Sequence, residues 1–565
     1  MIKTRGIRAF ASLVGMTALV ALSGCSEPAS VIIRGGTIYD GTGSAPVTGD
    51  LVIQGDRVVA VGDARGWRSP VEIDATGMAV APGFINMLSW ATETLLEDPR
   101  GLSDIKQGVT LEVFGEGWSM GPITDAMRDE MIEQQGDIQF DVPWTTLGEY
   151  LEHLEERGVS PNVASFVGAT TVRIHELGYE NRPPTAEELE RMKDLVRQGM
   201  REGALGVGSS LIYAPAFYAD TPELVGLMEA AAEYGGMYIS HMRSEGNQII
   251  ASVDELIHIA RATGSPAEIY HLKQAGEANW DKLDQVIERV ETARAEGLQI
   301  TADMYTYTAG ATGLDAAMPP WVQEGGYDAW ANRLRDPATR RRVIQEMRTP
   351  TDEWENLMLL AGDPSRVLLV GFKADSLKHL TGMSLAAVAE ARGMSPEDAA
   401  IDLVIKDGSR VGTVYFLMSE DNVRRQIQLP WMAFDSDAGA PAPEGVFLKS
   451  NPHPRAYGNF ARLLGRYVRD EGLIPMEEAI HKLTGFPAEN LKLRDRGTLR
   501  PGSFADVVVF DPAAVRDLAT FEEPHQLAEG MGHVFVNGVH VLMNGEHTGA
   551  TPGRVVRGPG WVGWQ

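Results

Sequence analysis

Cysteine is nearly absent: Cys25 is the only one in 565 residues, so no intrachain disulfide can form. Positive charge is scarce as well. Lys and Arg number 50 against 78 Asp and Glu, and the net charge of −28 excludes binding to nucleic acid or an anionic membrane through bulk electrostatics. Collagen-like repeats and disorder-type composition are missing. What remains, 44% hydrophobic and 23% charged, is an ordinary soluble globular chain. Its length predicts one large catalytic domain with smaller ones attached.

The first 25 residues read as a targeting segment. Lys3, Arg5 and Arg8 form a basic region. The apolar stretch from Ala9 to Leu22 is too short and too soon interrupted for a membrane span. Leu22-Ser23-Gly24-Cys25 resembles a bacterial lipobox, in which the Cys is lipidated and becomes the new N-terminus. This predicts a lipid-anchored protein of the bacterial cell envelope, with Ser26 permitting outer-membrane sorting. The membrane would be touched only through that anchor. Cleavage removes three positive charges and no acids, taking −28 to −31.

Residues 31–82 are rich in short strand patterns separated by turn pairs such as Gly35-Gly36 and Gly55-Asp56. Residues 496–565 have the same texture, with Ala505–Phe510 and a hairpin turning at Asn537-Gly538. The two ends together predict one small β-sandwich. Residues 83–495 alternate apolar strand candidates with helices. The strand candidates are 79–86, 109–115, 163–168, 205–209, 237–241, 269–271, 300–305 and 431–437. Capping patterns at Thr185-Ala186-Glu187-Glu188, Ser252-Val253-Asp254-Glu255 and Ser395-Pro396 mark helix starts. Eight strands alternating with helices predict an α/β fold, a (β/α)₈ TIM barrel. Residues from about 315 to 425 exceed any ordinary connection and read as a mostly helical insertion over the barrel mouth.

Barrel enzymes carry their chemistry at the C-terminal ends of the strands. Four titratable residues end strand candidates: Glu116, His241, His271 and Asp437. A lone strand-end His is more often structural than a ligand. Four such residues ending four different strands is not something periodicity arranges. One carboxylate and two imidazoles suit a hydrolytic zinc site with an open position for water, and a further carboxylate can carry the proton.

Several stretches together resemble the N-acyl-D-amino-acid deacylase (D-aminoacylase) branch of the amidohydrolase superfamily. They include Ala81-Pro82-Gly83-Phe84-Ile85, Gln107-Gly108-Val109-Thr110, His241-Met242-Arg243-Ser244-Glu245 and His271-Leu272-Lys273. The run Asp303-Met304-Tyr305-Thr306-Tyr307, then Ser436-Asp437 and His453-Pro454-Arg455, continue the match. The resemblance implies hydrolysis of the amide of a small N-acyl-D-amino acid. It implies that His241 and His271 bind zinc and that Asp437 is the general base and acid. Lys273 would approach the substrate carboxylate, with Tyr305 and Tyr307 lining that pocket. His453 and Arg455 are expected to lock the loop after the eighth strand rather than touch substrate.

The pattern breaks in three places, one of them Ala169, where relatives often carry His. The first strand of the superfamily ends in His-x-His, but Leu88 and Trp90 stand at those positions and Asn86 replaces an acid. The deacylases also carry a Cys ligand after the second strand, where this chain has Gly115-Glu116-Gly117. Glu116 is therefore the expected third ligand, and one Zn²⁺ the expected cofactor, with Mn²⁺ admitted by the harder oxygen donor. Two alternatives stay open: a related amidohydrolase acting on a dipeptide, cyclic amide, lactone or acylated xenobiotic, or a non-catalytic envelope binding protein.

Overall fold

The computed structural model describes residues 27–563; the targeting segment with Cys25 lies outside them. Strands from both ends of the chain join one nine-stranded sheet. Val31–Ile38 and Val47–Gln54 pair antiparallel, and Ala79–Pro82 pairs with Val507–Phe510. Ile33, Leu51, Val507 and Phe535 share one buried cluster of this sheet. The tail leaves it again: Val555 bridges Val163, beside the third barrel strand.

The stretch expected as one strand, 79–86, is two. Ala79–Pro82 belongs to the terminal sheet and Phe84–Asn86 to the barrel. The chain steps across at Gly83, where a Cβ would lie 2.1 Å from Thr110 Oγ1. Only glycine permits that approach.

Parallel pairing links Phe84–Asn86, Val109–Phe114 and Asn162–Ser165. It also links Val167–Gly168, Gly206–Ser210, Met237–His241, Ala267–Ile269 and Ile300–Ala302. The third strand is interrupted at Phe166, whose N–H donates to Phe114 O while Leu205 N–H donates to Ser165 O. The eighth stave, expected as a strand over 431–437, closes the ring through single parallel bridges only, Ala302 to Met432 and Ser89 to Ala438. Ile85, Val113, Phe166, Ile239, Tyr270 and Ala433 fill the interior, as alternation along the strands requires.

Thr185 and Glu188 form the expected capping box, and Ser395 caps the helix Pro396–Asp407. Ser252 caps nothing. Its helix, Ile249–Thr263, starts a turn earlier, and the Ser252 hydroxyl accepts from Ser244 N–H at 2.9 Å. The insertion is not helical throughout. Ala309–Gly313, Gly412–Phe416 and Val367–Gly371 form a three-stranded antiparallel sheet. Its edge stands over the barrel mouth.

Two buried acids lie behind the first strands. Burial raises Glu112 to about 7, against hydrogen bonds from Ser89, Asp104 and Asn86. Burial, then the Glu112 charge, raises Asp104 well above the carboxylate range. An acid whose folded-state pKa lies above its unfolded value stabilises the fold at low pH, and that contribution is lost as pH rises through the folded pKa. The melting temperature is therefore expected to fall as pH rises from about 4.5, the ordinary carboxyl value, through about 7, and Asp104→Asn to flatten the fall. Parallel melting curves for wild type and variant across that range would refute the assignment.

Candidate metal centre and active site

Glu116 follows Val109–Phe114, His241 ends Met237–His241, and His271 follows Ala267–Ile269. Parallel strands bring these ends to one face of the barrel. Glu116 Oε1 lies 2.9 Å from His241 Nδ1 and 3.0 Å from His271 Nε2. Their ligand atoms all fall within 4.8 Å of one another and all three residues are buried. Among the described residues no other set of three such side chains converges so closely.

The surroundings draw positive charge to this point. Burial and the Lys273 charge push His271 down, but the carboxylates Glu245 and Glu116 outweigh them and raise it to about 10. Burial would raise Glu116, yet the bonds from His241 and His271 hold it at about 2. His241 Nε2 is buried without a hydrogen-bond partner. One carboxylate and two imidazoles in an environment that favours a cation fit a zinc ion.

Behind the imidazoles stands Glu245, to which the sequence reading gave no role. Its Oε1 lies 2.6 Å from Lys273 Nζ and 3.0 Å from His271 Nδ1, and its Oε2 3.7 Å from His241 Nε2. A carboxylate so placed fixes the tautomer and tilt of ligating rings. Burial acts against its charge, but Lys273 and the two imidazoles hold its carboxyl well below the usual range. Its own loop is held from the insertion. Glu355 accepts the N–H groups of Glu245 at 3.0 Å and Gly246 at 3.1 Å, and the Ser244 hydroxyl.

Asp437 faces the same cavity. Its Oδ2 lies 2.8 Å from Arg455 Nη2, and its Oδ1 accepts from Trp90 Nε1 at 3.2 Å. Burial raises its carboxyl, with Arg455 and His271 pulling the other way. His271 and Asp437 both take left-handed backbone, φ 36° and 43°. Such strain in non-glycine residues gathers at functional sites.

The cavity holds about 400 Å³. Lys273 Nζ and Arg455 Cζ lie 5.4 Å and 4.3 Å from the Tyr305 ring centre. Arg455, expected only to lock a loop, thus lines the cavity and pairs with Asp437. His453 does lock the loop, between Ala309 O at 2.9 Å and Arg455 N–H at 3.0 Å. Tyr307 is not brought to the site. Its hydroxyl lies 3.3 Å from Asp517 Oδ2 and its ring packs under Arg462. The chain leaves the seventh strand at Ala302, so strand alternation no longer governs where Tyr307 points.

A closed parallel barrel with a carboxylate, two imidazoles and a further acid at the C-terminal strand ends defines the class of barrel metal-dependent hydrolases. A model of the amidohydrolase family matches residues 71–542, and the chain belongs to that family. D-aminoacylase of Alcaligenes xylosoxydans xylosoxydans is 33% identical over 535 residues, 94% of this chain and 98% of that one. The fold is similar to a D-aminoacylase structure concerned with the functional role of its binuclear metal centre, one-metal activation and second-metal attenuation. That match has TM-score 0.78 and 31% identity, covering 94% of this chain and all of that one (100%). It is similar also to N-acyl-D-glutamate deacylase from Bordetella bronchiseptica in complex with zinc and a phosphonate mimic of the tetrahedral intermediate. There the TM-score is 0.78 at 29% identity, covering 94% of this chain and 100% of that one.

Proposed function

We propose that this amidohydrolase deacylates N-acyl-D-amino acids with a single metal ion held by Glu116, His241 and His271. The observation that carries the metal site is the convergence of both imidazoles on one oxygen of Glu116, at 2.9 Å and 3.0 Å. A zinc ion bound there supplies Lewis acidity, which acidifies water and polarises a carbonyl. Asp437 takes the proton of the attacking water and delivers it to the nitrogen of the leaving amine. Lys273 and Arg455, both close to the Tyr305 ring, receive the substrate carboxylate. Glu245 holds the His271 ring and Lys273 in place. Trp118, Leu357, Val370 and Leu417 line the cavity and suit an apolar acyl group.

The D-preference rests on the likeness to D-aminoacylase and N-acyl-D-glutamate deacylase, whose names state it. A single ion is supported by Leu88, which is buried and offers no donor, and by the one-metal activation described for the D-aminoacylase. The lipobox at Cys25 supports a lipid-anchored place in the bacterial envelope.

The test is a panel of N-acetyl-D- and N-acetyl-L-amino acids, assayed with and without a chelator. Turnover of the D-series alone, abolished by chelation and restored by zinc, is the expected result. Equal rates on both series would remove the D-specific reading, and activity unchanged by chelation would remove the metal.

A further inference from the structure

Trp90 stands where the second histidine of the family's first-strand pair would stand, and its backbone is fixed to the loop that carries Asp437. Its N–H donates to Ala438 O at 2.9 Å, and Asp437 N–H donates to Leu88 O at 3.0 Å. This double tie aims the indole between two carboxylates. Trp90 Nε1 lies 3.1 Å from Glu116 Oε2 and 3.2 Å from Asp437 Oδ1. Two carboxylates, Glu116 buried and Asp437 largely so, face one gap and repel each other, and something positive must lie between them. Relatives with a histidine pair can fill such a gap with a second cation. This chain fills it with the hydrogen end of a neutral dipole.

We propose that the Trp90 indole N–H takes the place of a second metal ion, bridging Glu116 and Asp437 and fixing this enzyme in a one-metal state. The inference rests on the reading of Glu116, His241 and His271 as the holders of the metal. It makes Trp90 a positioning residue. The indole leaves Glu116 Oε1 to the metal by engaging Oε2, and it holds Asp437 beside the reacting atoms. Leu88 closes the other side of the lost pair: it is fully buried in the barrel interior and presents no ligand atom.

The experiment measures zinc per chain after equilibration with excess zinc, together with kcat and KM, for wild type, Trp90→His and Trp90→Phe. Wild type is expected to stop at one zinc. Trp90→His, which places an imidazole beside the two carboxylates, is expected to take up a second. Trp90→Phe keeps the ring and loses the donor, so it should bind one zinc while kcat falls about tenfold and KM stays within about twofold. Two zinc ions in wild type, one in Trp90→His, or a Trp90→Phe kcat within twofold of wild type would each overturn the inference. No zinc in wild type would instead overturn the metal reading beneath it, so the two failures are told apart. Thermal melting of both variants checks that folding is intact; Trp90 is 38% exposed and its replacement leaves the barrel core untouched.

Discussion

Asp437→Asn is expected to lower kcat about 10³-fold while KM and zinc content stay near wild type. The carboxylate is the one acid at the cavity floor that is neither shared between the two imidazoles nor locked behind them. Arg455 holds one of its oxygens and Trp90 the other, so it is fixed in place and still has lone pairs free for a proton. Asparagine matches its size and, with aspartate, is among the non-glycine residues that tolerate a φ of 43°. The loss should therefore be chemical and not structural. Zinc lost in parallel with turnover would mean that Asp437 is a ligand, and turnover within tenfold of wild type would move the proton transfer elsewhere.

Glu116→Ala is expected to weaken zinc binding by about a hundredfold or more, and activity should fall with it at limiting zinc. Glu116 is the only anionic member of the three and the point on which both rings converge. Without it His241 and His271 lose their common partner, and Asp437 loses its neighbour across the Trp90 indole. Glu116→Cys offers the thiolate that the deacylases carry, and it should recover zinc affinity while losing manganese, because the softer donor disfavours the harder ion. Competition against a chromophoric chelator measures both variants. Wild-type affinity in Glu116→Ala would remove Glu116 from the site.

The strand-end residues were legible because a parallel barrel has one chemically rich face, and alternation says which residues end up there. Glu116, His241, His271 and Asp437 each sit at or just past a recognisable apolar run. Residues carried by other means were not legible. Glu245 comes from the loop after a strand, Arg455 from the start of a helix, and Glu355 from the insertion 110 residues beyond the amide it accepts. No periodicity links such positions. Trp90 was legible as a missing ligand but not as a donor, since the direction of its N–H depends on the two backbone bonds that tie it to the loop of Asp437. Tyr307 was expected at the pocket from the resemblance alone, and it lies past the end of the seventh strand, where alternation says nothing of its direction. The eighth stave reads as a strand from its apolar run, but the chain reaches it from the insertion and makes only isolated bridges there.

The grip of Glu355 on Ser244, Glu245 and Gly246 has a mechanical corollary. The insertion segment that brings Leu357 to the cavity and the loop steadying the imidazoles are one linkage, joined at the Glu355 carboxylate. The position of one therefore sets the position of the other and, through Glu245, that of the His271 ring. Substrate-side and metal-side positions are thereby set by one carboxylate.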